Sequence, residues 1–207
     1  MGAKPQLIVK GRKFDQVLQG ARTVFMRDGF ERASVDDIAR EAGVSKATLY
    51  AYFPDKRLLF LEIAGEECRR QADDAESNIN HDAPVETVLR LAAEKITDFL
   101  LSEFGQRIFR IAVAESENFP AVAQQFYHSG PKLVQDRLTE ILRCGVERGE
   151  LIIDDIPFAA AQFAQLCKVD IHDRMIFSPN PCCTAADTAR VVDGAVSMFM
   201  ARYGVKT

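Results

Sequence analysis

Three kinds of pattern are missing from this 207-residue chain, and each absence argues against a class of protein. No uninterrupted apolar run approaches the ~20 residues that a helix needs to cross a bilayer. Residues 1–13 are basic but lack an apolar segment followed by a small-residue cleavage site, so we expect no secretory signal. The five cysteines form no CxxC pair, which argues against a zinc ribbon or a thioredoxin-type site. We therefore expect a cytoplasmic protein with reduced thiols and no membrane partner.

Histidine is also scarce, and its placement argues against an enzyme. His81, His128 and His172 lie far apart, and none has the HExxH spacing or another metal-ligand spacing. Asp170 and Asp173 lie beside His172, but these three positions do not share one face of a helix. We expect no catalytic site, no metal and no cofactor.

Helical periodicity dominates what is present, and strand-like alternation does not occur. The first helix has a single apolar stripe, made of Phe14, Val17, Leu18, Ala21, Val24 and Phe25. Gly29 supplies the left-handed residue that commonly ends a helix. Further helices are predicted from about residue 56 and over about 84–102, 104–116, 120–148 with an interruption at 130–131, 156–176 and 184–203. The predicted fold class is all-α.

Residues 34–56 form the most informative segment. Ser34, with Asp37 three residues later, is typical of a helix start, and Gly43 ends that helix within two turns. Ser45 then caps a third short helix, in which Leu49 and Phe53 point to the core. Two short helices that meet at a glycine predict a helix-turn-helix, whose second helix enters a DNA groove.

The outward face of the third helix has the chemistry of a base reader. Lys46, Ala47, Tyr50 and Ala51 share the face opposite Leu49. The alanines let the backbone approach base edges and can touch a thymine methyl, while lysine can donate to guanine. The backbone amides at Ser34 and Val35 and the flanking polar groups can contact phosphates, which position the protein without reading sequence.

The charge of −4 becomes informative when the chain is divided. Residues 1–60 hold 11 Lys and Arg against 7 Asp and Glu, a net charge of +4, whereas the remaining residues carry −8. Phosphate attraction decays within a Debye length of ~8–10 Å, so a basic segment on an acidic chain is compatible with DNA binding.

Residues 12–60 closely resemble the DNA-binding domain of the tetracycline-repressor (TetR) family. The matching pattern is Val35-x-x-Ile-Ala-x-x-Ala-Gly-Val-Ser-x-x-Thr48-Leu-Tyr-x-Tyr52-Phe-x-x-Lys56, with Ala47 where the family usually has glycine. Residues 115–120, 125–127 and 130–131 resemble the AefR-like subgroup. The resemblance implies base-facing positions at Lys46, Ala47, Tyr50 and Ala51. Phosphate contacts are expected at Ser34, Val35, Ser45, Thr48, Tyr52 and Lys56.

The resemblance also implies an organisation and partners. We expect a flexible basic arm over 1–11, a three-helix DNA-binding domain over 12–57, and a helical-bundle domain for effector binding and dimerisation over 58–207. The homodimer would pair through about 156–176 and 184–203, whose apolar faces contain Phe158, Ala159, Phe163, Leu166, Val191, Val192, Ala195, Val196 and Phe199. A two-fold dimer implies an inverted-repeat operator in double-stranded DNA.

The family places its effector pocket among the central helices, where aromatic and sulfur-bearing residues concentrate. The candidate lining residues are Phe99, Phe104, Phe109, Phe126, Tyr127, His128, Phe163 and Cys167. A mostly apolar pocket suits a small lipophilic molecule, and ligand release of DNA predicts a repressor. The alternatives are that these residues are plain core, that the protein activates transcription or needs its ligand to bind DNA, and that the helix-turn-helix binds no DNA.

Overall fold

The computed structural model describes residues 11–77, 80, 83–178 and 182–205. The predicted arm over 1–11 lies outside the described residues except for Gly11, and His81 also lies outside them. Contacts divide the chain into an N-terminal unit, Met1–Glu67, and a C-terminal unit, Cys68–Thr207. The division falls after Glu67 rather than at residue 57, because the buried residues Leu58 to Ala64 continue the N-terminal core into the next helix.

The N-terminal unit contains α1 Arg12–Arg32, α2 Val35–Glu41, α3 Lys46–Tyr52 and the start of α4 Lys56–Ser77. Gly29 kinks α1 with φ 75°, in the left-handed region that was predicted for it. The predicted apolar stripe of α1 is buried along its whole length. Phe14 packs on Phe53 at a centroid distance of 5.5 Å, which joins the beginning of α1 to the end of α3.

Glycine brings α1 and α2 into close contact. A Cβ atom on Gly20 would lie 2.6 Å from the backbone nitrogen of Ala42 and 2.7 Å from its Cα. Gly43 then turns the chain with φ 63°, and Val44 N donates to Ala39 O at 3.0 Å. Backbone packing at Gly20 and the left-handed turn at Gly43 together set how the two short helices meet.

The C-terminal unit is a helical bundle. It contains α5 Val85–Leu101, α6 Glu103–Glu115, α7 Pro120–Ser129, α8 Pro131–Glu147, α9 Ile156–Leu166, α10 Ile171–Phe177 and α11 Ala185–Tyr203. The principal core cluster joins α5, α8, α9 and α11. One isolated antiparallel bridge, between Leu151 and Gly204, ties the end of α11 to the α8–α9 connection. The all-α prediction is confirmed, and in the described ranges no helix is long and apolar enough to span a membrane.

One predicted helix was wrong. The segment 156–176 is broken by a turn between Leu166 and Ile171, with Asp170 in the left-handed region at φ 67°. Neither glycine nor proline marks this break, so periodicity alone did not reveal it. The turn places Ile171 in the buried interior, and the Arg190 side chain binds the Asp170 carboxylate from α11. The predicted interruption at 130–131 is confirmed, since α7 ends at Ser129 and α8 begins at Pro131.

Candidate nucleic-acid interface

The two faces of α3 separate packing from exposed chemistry. Leu49 is 1% exposed and anchors the helix to the core, whereas Tyr50 is 49% exposed. Lys46, Ala47 and Ala51 are exposed beside Tyr50. The structure therefore brings all four predicted base-facing residues to one solvent-exposed surface, which we call the reading face. Their contact with bases stays a prediction.

Side-chain caps fix both short helices. Ser34 Oγ accepts a hydrogen bond from Asp37 N at 3.0 Å, which starts α2. Ser45 Oγ accepts one from Thr48 N at 3.1 Å, which starts α3, and lies 2.9 Å from Thr48 Oγ1. The predicted caps are confirmed. The Ser34 and Ser45 hydroxyls each accept a hydrogen bond from a backbone amide in the first turn of a helix. They therefore stabilise the N-termini of α2 and α3, where phosphate contacts are predicted.

Tyr52 is positioned by packing. Its ring meets Phe14 edge-on at a centroid distance of 5.6 Å, and the residue is half-buried. Val35, the other apolar-bodied candidate for a phosphate contact, is also half-buried, at the first position of α2. The side chains of Tyr52 and Val35 are therefore partly packed against the protein, and a phosphate contact would come from the Tyr52 hydroxyl or the Val35 backbone amide.

An acidic residue missed by the sequence reasoning restrains the cation of the reading face. Asp36, on the first turn of α2, forms an ion pair with Lys46. The hydrogen bond that Lys46 donates to Asp36, together with the negative charge of Asp36, raises the pKa of Lys46. Both side chains are about 60% exposed (59% and 60%), which leaves the pair open to exchange with a phosphate or a base. Asp36 can be identified as the partner of Lys46 only from the three-dimensional arrangement of α2 and α3, because the two residues are ten positions apart in the sequence.

Arginines near α3 and α4 also have carboxylate partners. Arg40 pairs with Asp37, and Arg57 Nη2 lies 2.6 Å from Asp55 Oδ2. Arg57 N also donates to Asp55 Oδ1 at 2.8 Å, so the Asp55 carboxylate caps the start of α4. The Arg57 side-chain hydrogen bond lowers the pKa of Asp55. The guanidinium groups of Arg40 and Arg57 are thus each held by a carboxylate close to them in sequence.

Lys56, predicted to contact a phosphate, has its ammonium on backbone carbonyls. Its Nζ donates to Phe30 O at 2.8 Å, to Ala33 O at 3.0 Å and to Glu31 O at 3.4 Å. The same atom lies 4.5 Å from the centroid of the Phe30 ring. No sequence pattern indicates this arrangement, because the acceptors are main-chain atoms more than 20 residues away.

The eight predicted pocket residues fall into different environments. Phe163 and Cys167 belong to the buried core cluster, and burial raises the pKa of the Cys167 thiol to about 12. Phe99 and Phe104 meet edge-on at 6.4 Å, and Phe126 is half-buried. Phe109 packs on His172 at 4.9 Å, while Tyr127 and His128 are exposed on α7. A shared effector site for all eight therefore stays a prediction.

Buried polar residues in the same helices were missed. Glu115 on α6 is 3% exposed, and Thr97 on α5 is fully buried, with its Oγ1 donating to Ala93 O at 2.9 Å. Arg110 Nη2 donates to the carbonyls of Met175 and Ile176 at the end of α10. Thr97 and Glu115 occupy positions on the buried faces of α5 and α6, which is the only sequence signal that could have identified them, whereas Arg110 is exposed.

The apolar faces predicted for dimerisation need correction. Most of the named residues lie in the interior of a single protomer. Val191 is buried, and six others belong to the core cluster of α5, α8, α9 and α11: Ala159, Phe163, Val192, Ala195, Val196 and Phe199. Leu166 is half-buried against the same cluster. Phe158 alone is exposed, at 59%, on α9. On α11 the exposed large apolar residue is Met198, at 63%.

Family models match both units of the chain. Residues 17–63 match the model described as bacterial regulatory proteins, tetR family. Residues 87–205 match the model described as AefR-like transcriptional repressor, C-terminal domain. The second match alone covers more than half of the chain.

Individual proteins agree with the family models. The HTH-type transcriptional regulator YvdT of Bacillus subtilis (strain 168) is 31% identical over 128 residues, which are 59% of this chain and 65% of that protein. The Flavonoid-responsive Regulator FrrA has a solved structure with a TM-score of 0.67 and 30% identity, covering 96% of this chain and 100% of that one. A TetR family transcriptional regulator from Pseudomonas syringae pv. tomato str. DC3000 gives 0.65 and 25%, over 96% and 100% of the two chains.

Proposed function

The chain belongs to the tetR family of bacterial regulatory proteins, and we propose that it is a homodimeric repressor that releases an inverted-repeat operator when a small lipophilic molecule binds its C-terminal unit. The family and the relatives are transcriptional regulators, which confirms the prediction of a regulator rather than an enzyme. The observation that carries the proposal is the reading face of α3, exposed while Leu49 holds the opposite side in the core.

The proposed readout is direct. Lys46 donates to guanine, and Ala47 and Ala51 let the helix approach closely enough to touch thymine methyl groups. Tyr50, which is half-exposed, supplies a phenolic donor beside them. Flanking contacts to phosphates come from Ser34, Val35, Ser45, Thr48 and Tyr52. Phosphate contacts position the helix, and the contacts of the reading face specify the sequence.

We propose dimerisation through the outward sides of α9 and α11. Phe158 and Met198 are the large apolar groups there, and Gln162, Gln165, Ser197 and Ala201 are exposed on the same helices. Tyr203 Oη lies 2.6 Å from Gln162 Oε1, which ties the two helices together. A second copy would cover Phe158 and Met198, because a two-fold axis places the same surface of each protomer against the other.

The effector proposal rests on chemistry and on a relative. FrrA is described as a flavonoid-responsive regulator, and flavonoids are aromatic molecules. Phe99, Phe104, Phe109 and Phe126 supply aromatic surface in the C-terminal unit, which suits such a ligand. Ligand binding would favour a conformation in which the two reading faces of the dimer are differently spaced. The coupling free energy between ligand binding and DNA binding is typically about 1–3 kcal/mol.

Band-shift titration on the DNA upstream of the gene tests the proposal. We expect a discrete complex at about 100 mM salt that competitor duplex of scrambled sequence does not displace, because specific binding exceeds non-specific binding by orders of magnitude. The double variant Lys46→Ala/Tyr50→Ala should lose this complex, and Lys95→Ala, in the other unit, should keep it. Absence of a complex with the wild-type protein would contradict the repressor hypothesis. Increased transcription from the bound promoter would indicate an activator.

A further inference from the structure

The amino group of Lys56 is bound at the C-terminal end of α1. After the kink at Gly29, the last turn of α1 leaves carbonyl groups without helical partners, as every helix end does. Lys56 Nζ donates to three carbonyls of this region, those of Phe30, Glu31 and Ala33, at 2.8 to 3.4 Å. A lysine at the negative end of a helix is favourable, because its charge complements the helix dipole.

This arrangement uses the full donor capacity of the side chain. An ammonium group has three N–H donors, and the structure supplies three acceptors for them. The Phe30 ring adds a cation–π contact at 4.5 Å. A phosphate oxygen could bind Lys56 Nζ only by displacing one of these carbonyls, two of which lie in partly buried hydrogen bonds.

The acceptors lie next to the DNA-binding helices. Ala33 immediately precedes Ser34, the cap of α2, so the carbonyl of Ala33 marks where α2 begins. Gly43 and the Val44–Ala39 hydrogen bond then link α2 to α3. Lys56 is the first residue of α4. The Lys56 side chain therefore joins the start of α4 to the α1–α2 connection. This connection determines the direction of α2, and through the Gly43 turn the direction of α3.

We propose that Lys56 is a positioning residue that fixes the reading face relative to the start of α4, and that it does not bind a DNA phosphate. This proposal rests on the proposed DNA binding and changes the role of one residue in it. Movement of α4 would be transmitted to the α1–α2 connection through the Lys56–carbonyl contacts.

The salt dependence of DNA binding separates the two roles. Each phosphate contact contributes about −0.9 to the slope of log K against log salt, so loss of one contact per protomer should reduce a dimer's slope by about 1.8. For Lys56→Met we expect affinity for the upstream duplex to fall on the order of tenfold at every salt concentration, with the slope unchanged. Lys56→Gln, which keeps a neutral donor, should recover part of the affinity with the same slope. Lys95→Met, exposed on α5, controls for the change in net charge.

A second duplex distinguishes positioning from general stability. Measurements at 10 °C, with folding verified by circular dichroism, should show that Lys56→Met weakens binding to the upstream duplex much more than binding to poly(dI·dC). The reason is that non-specific binding depends on phosphate charge and tolerates a tilted reading helix. If Lys56→Met does not fold, Lys56→Gln supplies the same comparison.

Three results would overturn the proposal. A slope reduced by about 1.8, with affinity for both duplexes lost in equal proportion, would show that Lys56 binds a phosphate. Unchanged affinity for both duplexes in the folded variants would leave Lys56 a purely structural role. Failure of the wild-type protein to bind either duplex would remove the proposed function as well, and this outcome is distinct from the first two.

Discussion

The N-terminal and C-terminal units differ in how their helices distribute exposed and buried side chains. In the N-terminal unit, the four residues predicted to face bases are exposed and Leu49 behind them is buried. In the C-terminal unit, Phe163 and Phe199, predicted at the surface between protomers, pack against each other at 5.1 Å inside one protomer. A short capped helix such as α3 has one apolar side, which packs against the small core of its own unit. A longer apolar helix such as α11 has an apolar stripe that could pack either against its own core or against a second protomer, and the sequence does not distinguish the two.

Two phenylalanines on α9 give the largest expected effect and test this contrast directly. Phe163 is fully buried and Phe158 is 59% exposed on the same helix. Phe163→Ala should lower the free energy of unfolding by about 3–5 kcal/mol, because it removes buried area and leaves a cavity. Phe158→Ala should change the stability of the protomer by less than about 0.5 kcal/mol. Urea unfolding at a protein concentration low enough to keep wild type and both variants monomeric measures both effects without a contribution from association.

The same pair should behave oppositely in association. Analytical ultracentrifugation of Phe158→Ala should show at least a tenfold weaker dimer, on the order of the loss expected at an aromatic interface residue. Equal destabilisation of the protomer by both substitutions, with dimerisation unaffected, would remove the distinction between the core side and the outward side of α9.

Gly20→Ala examines the tightest packing in the N-terminal unit. The added Cβ would lie 2.6 Å from the Ala42 nitrogen, and a backbone neighbour cannot rotate away. We expect a loss of about 1–3 kcal/mol in the free energy of unfolding, together with weaker DNA binding, because α2 must shift away from α1. Gly194→Ala on α11 is the matched control, since nothing lies within 4 Å of its added Cβ. Similar losses in the two variants would contradict a special role for the Gly20 contact.

Thr184→Ala should have a smaller effect, confined to the start of α11. Thr184 and Asp187 form a reciprocal capping box, and loss of such a cap costs about 1 kcal/mol. Hydrogen bonds from Thr184 are the main reason that the pKa of Asp187 is lowered to about 2. A lowered carboxyl pKa stabilises the folded state above the unfolded value near 4, and this contribution is lost as the pH falls towards 2. The stability difference between wild type and variant should therefore narrow between these pH values, and a constant difference would contradict the capping account.

The smallest expected effect concerns the Asp36–Lys46 pair on the reading face. Asp36→Asn should raise affinity for poly(dI·dC) about two- to fivefold, because it releases Lys46 and removes a negative charge near the phosphates. Asp98→Asn on α5 makes the same change in net charge in the other unit and should have no such effect. Equal responses of the two variants in a fluorescence-anisotropy titration would mean that only net charge matters.

Local signals explain what could be predicted from the sequence. Ser34, Gly43 and Ser45 act within three or four residues of themselves, so caps and turns could be identified without tertiary information. The contacts missed are long-range: Lys56 meets Phe30 O, and Asp36 meets Lys46 across a turn. The break before Ile171 was missed because Asp170 takes a left-handed conformation that glycine or asparagine would have indicated more clearly.

If the protein binds its operator as proposed, a dimer places two copies of the reading face in successive major grooves. Guanine-N7 methylation interference on the bound upstream duplex reports on this arrangement, because N7 lies in the major groove. We expect two interference clusters in inverted orientation, with centres separated by about 10–10.5 base pairs or a multiple, and both should weaken in Lys46→Ala. A single cluster, or interference that Lys46→Ala leaves unchanged, would rule out this mode of binding.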